Sequence, residues 1–163
     1  MNTDLVSFLN KQKGYSTKKL KGYTNSFSIL YNGKQVARTF PKHNLYAFLK
    51  IEHKLDWKTI FSKRILPDDA LYVLRNNTVY IIEKKHQETG GSVDEKLQTC
   101  DYKRKQYRKL FSRINYEVEY VYLLSSWFAN SSYKDTLDYI ISVNCHYYFE
   151  YIPLQKLGLP VPK

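Results

Sequence analysis

A carboxylate and an ammonium group stand two residues apart where an apolar segment of the sequence ends. Residues 79–87 read VYIIEKKHQ, so four apolar side chains are followed at once by Glu83, Lys84 and Lys85. Side chains two residues apart on a β-strand project to the same face, which pairs Glu83 with Lys85 and directs Lys84 away. A carboxylate can bind a hard cation, and an ammonium group can hold an attacking water or offset charge on a phosphate. The alternative interpretation is a solvated strand end without chemistry.

A second acidic position comes close to Glu83 through the predicted fold of the chain. The segment ILPDDALYVLRNNTVYIIEKK, residues 65–85, predicts a β-hairpin whose strands, about 69–75 and 78–84, meet at Asn76-Asn77. A turn there brings Asp68 or Asp69 to face Glu83. Two carboxylates and the main-chain carbonyl of Lys84 supply the oxygen ligands that Mg²⁺ prefers, and leave its other positions to water and phosphate. The sequence therefore predicts a metal site.

The elements around this hairpin predict a mixed β-sheet flanked by helices, an α/β or α+β fold. Residues 27–40 form a first hairpin around Asn32-Gly33, and a helix follows Pro41. A capping box at residues 92–95 begins a second helix, which runs to about residue 113. A strand, a helix and a last strand are predicted over residues 116–154.

Composition limits the classes of function. At 163 residues, with 43% hydrophobic and 16% aromatic side chains, the chain predicts a single domain, residues 1–163, with a packed core. The net charge of +11 and the pI near 9.5 favour a polyanionic partner, nucleic acid or an anionic membrane. The longest uncharged stretch, residues 120–133, is too short and polar to span a bilayer, and residues 1–14 lack a secretory leader. We expect a cytoplasmic protein without a membrane partner, and reduced core thiols at Cys100 and Cys145.

Two short motifs resemble a known nuclease signature. Pro67-Asp68 followed by Glu83-Lys84-Lys85 resembles the PD-(D/E)XK signature of the restriction-endonuclease-like nuclease superfamily. Gln98 to Tyr102, on the helix after the second motif strand, is similar to the QxxxY element of the RecB-like branch. The resemblance covers residues 43–125, about half of the chain. It implies a core of a helix, a meander of three strands, a helix and a further strand.

The resemblance implies a Mg²⁺-dependent phosphodiesterase in which Mn²⁺ can replace Mg²⁺. Asp68 and Glu83 would bind the metal, and Lys85 would position the attacking water. Gln98 and Tyr102 would support the site or touch the phosphate backbone. Asp69 remains open as an alternative to Asp68, and Glu52 on the preceding helix corresponds in place to an extra acid of some members. The positions of these side chains in the structure decide which of them can share one metal site.

Lysines and tyrosines interleave in two segments that suit DNA, because cations neutralise phosphates and tyrosines hydrogen-bond or stack. The first is a predicted basic loop, residues 14–25, which with the hairpin to residue 40 forms a possible DNA-recognition element. The second is the helix that begins near residue 93. The candidates for DNA contact are Lys18, Lys19, Lys21, Tyr102, Lys103 and Lys105.

The expected function is that of a type II restriction endonuclease that cuts double-stranded DNA. A homodimer is implied by the resemblance, since two-fold symmetry places one site on each strand of a palindromic sequence. The alternatives are a repair or recombination nuclease of the RecB-like branch and a catalytically inactive DNA-binding relative. No P-loop, GxGxxG stretch, zinc spacing or nucleophile elbow offers another chemistry.

Overall fold

A seven-stranded mixed sheet runs through the computed structural model, which describes residues 4–87 and 93–163. The strands lie side by side in chain order. They are β1 Tyr15–Lys19, β2 Phe27–Tyr31, β3 Lys34–Thr39, β4 Asp69–Val73, β5 Thr78–Lys85, β6 Glu117–Leu124 and β7 His146–Phe149. Strands β1 to β5 pair antiparallel, whereas β6 and β7 continue the sheet in parallel with β5.

Five α-helices accompany the sheet in the described residues. They are α1 Leu5–Asn10, α2 Asn44–His53, α3 Val93–Leu97, α4 Cys100–Phe111 and α5 Lys134–Ser142. The mixed sheet with its helices confirms the predicted α/β or α+β class.

Both predicted hairpins are present, but the turn of the second is longer than predicted, because β4 ends at Val73 and residues 74–77, rather than Asn76-Asn77 alone, connect it to β5. Asn32 and Gly33 connect β2 to β3 with φ angles of 50° and 82°, the left-handed conformations that a tight two-residue turn requires. The second hairpin pairs β4 with β5, with Asp69 opposite Ile82. The residue that precedes β4 therefore lies beside the end of β5.

The two faces of the sheet bury separate apolar clusters. On the first face, α2, α4 and α5 cover side chains that include Val79 and Ile81 of β5. On the second face, α1 and the segment after β7 cover side chains that include Tyr80 and Ile82. Since side chains alternate along a strand, Glu83 and Lys85 belong to the first face, whereas Lys84 belongs to the second.

The predicted basic loop, residues 14–25, is wrong in its first half, because Tyr15–Lys19 forms β1. Every residue of β1 pairs with β2, and Lys18 and Lys19 are exposed on this edge strand. A lysine-rich segment has little β propensity of its own, so the strand follows from pairing with the more apolar β2. Lysines on a sheet edge also discourage pairing with another chain.

The helix predicted from residue 93 to residue 113 is divided into α3 and α4 at Gln98 and Thr99. The Thr99 hydroxyl donates to the Lys96 carbonyl over 2.8 Å, and Thr99 has φ −94° and ψ 3°. A threonine hydroxyl that bonds a nearby carbonyl competes with the main-chain hydrogen bonds of a helix. The predicted capping residue, Ser92, lies outside the described residues.

Both cysteines lie in the core: Cys100 and Cys145 are free and buried, as the sequence predicts. None of the helices within residues 4–87 and 93–163 is long and apolar enough to cross a membrane.

We expect α2 to stabilise the fold through one face only. Phe48 is 1% exposed and its ring stacks on that of Phe40 with centroids 4.2 Å apart, whereas Ile51 is 58% exposed. Phe48→Ala should lower the free energy of unfolding by about 3–5 kcal/mol in urea denaturation, because it leaves a cavity in the core. The matched change Ile51→Ala should cost about 0.5 kcal/mol or less. Equal losses in the two variants would contradict this packing.

Candidate active site

Asp68 and Glu83 are in contact where β4 begins and β5 ends. The Asp68 amide donates to Glu83 Oε1 over 3.3 Å, and the Lys84 amide donates to Asp68 Oδ2 over 2.9 Å. The two carboxyl groups also lie close enough to shift each other's pKa, since Glu83 lowers the pKa of Asp68 and Asp68 raises that of Glu83. The β4–β5 register explains this contact, because it sets the residue before Asp69 beside Glu83 and Lys84. The predicted hairpin thus brings together the first two motif residues.

Glu83 carries the more basic carboxyl group of this pair. Its side chain is buried, with 6% of the residue exposed. Burial raises the pKa of Glu83 to about 7, and the negative charge of Asp68 adds to the rise, while Lys103 and Lys85 act in the opposite direction. Glu83 therefore retains a proton up to near-neutral pH, and this proton is available for donation to the ionised Asp68 carboxylate. A cation between them would replace the proton.

Asp68 carries the more acidic carboxyl group. Burial opposes its ionisation, but hydrogen bonds from the Lys42 ammonium and the Lys84 amide outweigh burial and lower its pKa. Lys42 Nζ lies 2.5 Å from Asp68 Oδ1. The sequence reasoning missed Lys42, because its place depends on long-range pairing of the chain after β3 with the chain before β4. The Phe40 amide donates to Ala70 over 2.7 Å, and the Lys42 amide donates to Pro67 over 2.9 Å.

Two buried tyrosines hold the chain just before Asp68. The hydroxyl of Tyr46 on α2 and that of Tyr107 on α4 both donate to the Ile65 carbonyl, the latter over 3.4 Å. Burial raises the pKa of both hydroxyls well above the ordinary value, so they remain neutral donors. They connect the helices of the first face to the segment that leads into Pro67-Asp68.

Lys85 and Lys103 place two ammonium groups near Glu83. Lys85 shares the first face with Glu83 by strand alternation, and Lys103 comes from α4 and is partly buried. The positive charges of both lower the pKa of Glu83. Lys103 was predicted as a DNA contact, and its position adds it to the candidate site. With Lys42, three ammonium groups surround two carboxyl groups.

Asp69 lies on the opposite face from Glu83. In β4, Ala70 belongs to the first face and Leu71 to the second, so alternation puts Asp69 on the second face, where Lys84 also projects. The Asp69 carboxyl is buried and accepts from the Ala70 amide over 2.9 Å. Burial raises the pKa of Asp69 to about 7, and the charge of Lys84 offsets only part of the rise. The structure thus brings Asp68, and not Asp69, to Glu83.

Glu52 is held by other partners. Arg38 donates to both of its carboxylate oxygens, over 2.9 and 2.6 Å, and the Tyr23 hydroxyl donates to one of them. The Arg38 guanidinium also lies over the rings of Phe40 and Phe48, 5.1 and 5.5 Å from their centroids. Glu52 therefore links α2 to β3 and to the chain after β1, and the structure does not place it with the carboxyl pair.

Gln98 and Tyr102 are exposed, and within residues 4–87 and 93–163 the side chain of neither hydrogen-bonds to Asp68 or Glu83. Gln98 is exposed at the break between α3 and α4, where it lines a surface pocket of about 380 Å³ with Asp135, Thr136 and Tyr139. Tyr102 is 64% exposed. The α4 residues that face the pair are instead Lys103 and Tyr107. The break at Thr99 ends the continuous helix on which the QxxxY interpretation depended.

The remaining candidates for DNA contact are solvent-exposed lysines. Lys105 pairs with Asp101 one helical turn away, with Nζ 3.0 Å from Oδ2. Lys18 and Lys19 lie on the edge strand β1, and Lys21 follows it. Their exposure leaves them accessible to a polyanion, and no geometry links them to the carboxyl pair.

A partly open pocket of about 220 Å³ lies on the second face, where Leu5, Phe8 and Ile82 are among the apolar side chains that line it. Its acidic residue, Glu150, accepts hydrogen bonds from the Ser126 amide and hydroxyl over 2.7 and 2.8 Å. The residues that line this pocket include one acid and no pair of acids, so it is not a candidate for metal chemistry.

The donors at the carboxyl pair suit a partly hydrated cation. Within the described ranges 4–87 and 93–163, no group of three or more histidine, cysteine, aspartate or glutamate side chains is arranged to hold a metal ion. Mg²⁺ is commonly bound by one or two carboxylates together with waters and phosphate oxygens. Asp68 and Glu83 fit that pattern, and they do not fit a metal enclosed wholly by protein ligands.

Comparisons of this chain with protein-family models, with curated proteins and with solved structures gave no match. The chemistry of Asp68, Glu83 and the surrounding lysines is therefore the basis for assigning a function.

We expect Asp69 to make the protein less stable as the pH rises. Burial raises the pKa of the Asp69 carboxyl to about 7 in the folded protein. A raised pKa lowers the free energy of unfolding progressively as the pH rises from the ordinary pKa of the group to its pKa in the folded state. Asp69→Asn removes this loss and keeps an acceptor for the Ala70 amide. Urea denaturation should show its stability gain over the wild type growing by roughly 2 kcal/mol between pH 5 and pH 8.

The control for this measurement is Asp135→Asn, since Asp135 is exposed. Its stability difference from the wild type should be nearly the same at both pH values. A loss of stability in Asp69→Asn at pH 8 would contradict the buried, uncompensated position of this carboxyl group.

We expect Glu52 to stabilise the fold without holding a metal. Glu52→Gln should lower the free energy of unfolding by about 1–3 kcal/mol, because Arg38, whose side chain is 18% exposed, loses its charged partner. Calorimetric titration with Mn²⁺ should give the wild-type affinity. A clear loss of Mn²⁺ affinity in this variant, with the fold intact, would show that Glu52 is a metal ligand.

Proposed function

We propose that this chain is a Mg²⁺-dependent endonuclease of the PD-(D/E)XK class that hydrolyses phosphodiester bonds of double-stranded DNA, as a type II restriction enzyme does. The observation that carries the proposal is the contact between the Asp68 and Glu83 carboxyl groups with Lys85 on the same face. The signature requires these three residue types from adjacent strands of one hairpin. The proposal extends to Mn²⁺ as a substitute metal.

The residues at the site have distinct roles in this proposal. Asp68 and Glu83 would hold the metal, which supplies a Lewis acid and a bound water of lowered pKa. Lys85 would hold the attacking water or offset the charge that grows on the phosphate. Lys103 would add a second positive charge beside Glu83. Tyr46 and Tyr107 would keep Asp68 in place through the Ile65 carbonyl.

The sheet offers a second line of support. Strands β3, β4 and β5 form an antiparallel meander, and α4 and the parallel strand β6 follow. This order is similar to the core that the resemblance implies in its meander, its following helix and its parallel strand, and it departs from that core because α2 lies between β3 and β4 instead of before all three strands. The alternative of a RecB-like repair nuclease has less support, because Gln98 and Tyr102 are exposed and make no hydrogen bond to the carboxyl pair within the described residues.

Double-stranded DNA is the proposed substrate because positive charge is present both at the site and beyond it. Lys42, Lys85 and Lys103 surround the carboxyl pair, and the chain as a whole carries a net charge of +11. Exposed lysines of β1 and α4 would contact phosphates outside the site. A homodimer would cut both strands of a palindromic sequence.

Incubation with closed circular plasmid tests this proposal. We expect discrete fragments with Mg²⁺ or Mn²⁺ and intact plasmid with EDTA, since an endonuclease needs no free end. Asp68→Asn, Glu83→Gln and Lys85→Met should each lower the cleavage rate by roughly 100-fold or more, because each removes a group that acts on the metal, the water or the phosphate.

The matched control is Asp69→Asn, which changes the neighbouring acid on the other face and should keep cleavage within about threefold of the wild type. Wild-type activity in Glu83→Gln or Lys85→Met would refute the proposed site. A catalytically inactive relative would instead bind DNA with a steep salt dependence and cut plasmid with neither metal.

A further inference from the structure

The Lys42 ammonium group is paired with the Asp68 carboxylate, which is one of the two proposed metal ligands. Its Nζ atom is 2.5 Å from Asp68 Oδ1, while Asp68 Oδ2 accepts from the Lys84 amide over 2.9 Å. The Lys42 side chain is 51% exposed and that of Asp68 is 28% exposed. The ammonium group therefore covers the carboxylate from the solvent side. A cation that entered the site would have to displace it.

The main chain of Lys42 is fixed, although its side chain can turn. Lys42 has φ 51°, a left-handed conformation that lysine seldom adopts. Its amide donates to Pro67 over 2.9 Å, and its carbonyl accepts from the Leu45 amide over 3.3 Å. Beyond this fixed main chain, the flexible side chain of Lys42 ends in a compact ammonium group. The ammonium group can thus leave Asp68 while the residue stays beside the site.

We propose that Lys42 is an internal cation that pairs with Asp68 when the site holds no metal, and that an entering metal displaces it onto a phosphate of bound DNA. This inference rests on the proposed function. Two cations cannot share one carboxylate oxygen without strong repulsion, and a phosphate oxygen is the anionic group that DNA supplies next to the metal. Lys42 thus changes partners between the metal-free and metal-loaded states.

Calorimetric titration with Ca²⁺ in the absence of DNA tests the first step, and Ca²⁺ keeps the readout independent of turnover. Lys42→Met should bind Ca²⁺ roughly fivefold or more tightly than the wild type, because the competing ammonium group is gone. Lys85→Met and Lys103→Met remove the same charge from the same site without freeing Asp68, and should improve Ca²⁺ affinity by about twofold or less. Equal Ca²⁺ affinity in Lys42→Met and the wild type, or equal gains in all three variants, would overturn the inference.

Binding of a fluorescent DNA duplex tests the second step. In EDTA, Lys42→Met should weaken duplex binding by about twofold or less, because the change leaves the Asp68 charge unpaired but removes no phosphate contact. With saturating Ca²⁺, Lys42→Met should bind the duplex roughly 3- to 10-fold more weakly than the wild type, the loss of one phosphate contact. The same weakening in EDTA and in Ca²⁺ would show that Lys42 does not change partners.

Asp68→Asn separates this inference from the proposed function. If the wild type binds Ca²⁺ and Asp68→Asn does not, the metal site stands whatever the Lys42 variants do. If the wild type binds neither Ca²⁺ nor Mn²⁺, the proposed function fails and this inference fails with it.

Discussion

Two carboxyl groups in contact repel each other once both are ionised, unless a cation lies between them. The register of β4 and β5 forces Asp68 and Glu83 into that contact. The surrounding structure meets the repulsion by leaving a proton on Glu83 and by setting Lys42 against Asp68. Two acids held in contact at a cost in stability, with compensating positive charges beside them, are typical of a functional site.

The rest of the fold can be understood as the support for this contact. Strand alternation sends Glu83 and Lys85 to the first face and Asp69 and Lys84 to the second, so that adjacent acids have different environments. On the first face, two tyrosines from different helices fix the chain before Asp68. On the second face, burial leaves the Asp69 carboxyl near an apolar cluster, where it offers no second ligand.

The sequence predicts the parts of the structure that depend on local signals. Both hairpins, the fold class and the facing of Asp68 toward Glu83 follow from turn residues, apolar runs and the two-residue period of a strand. The sequence does not predict β1, whose lysines acquire strand structure only from pairing with β2. Nor does it predict Lys42, which reaches Asp68 through pairing between segments 26 residues apart. Thr99 shows the opposite case, in which a hydroxyl that bonds the Lys96 carbonyl lies at a break in a helix that periodicity had predicted to be continuous.

The balance of charge at the site bears on the order in which DNA and metal would bind. Without metal, one carboxylate faces the ammonium groups of Lys42, Lys85 and Lys103, because Glu83 retains its proton. With a divalent cation and both carboxyl groups ionised, the positive charge still exceeds the negative. A site that is positive in both states would attract a polyanion before any metal entered, whereas a cluster of several free carboxylates would repel DNA until a metal neutralised it. DNA would thus be held without the metal, and the metal would position the phosphate and release Lys42 to add one further contact.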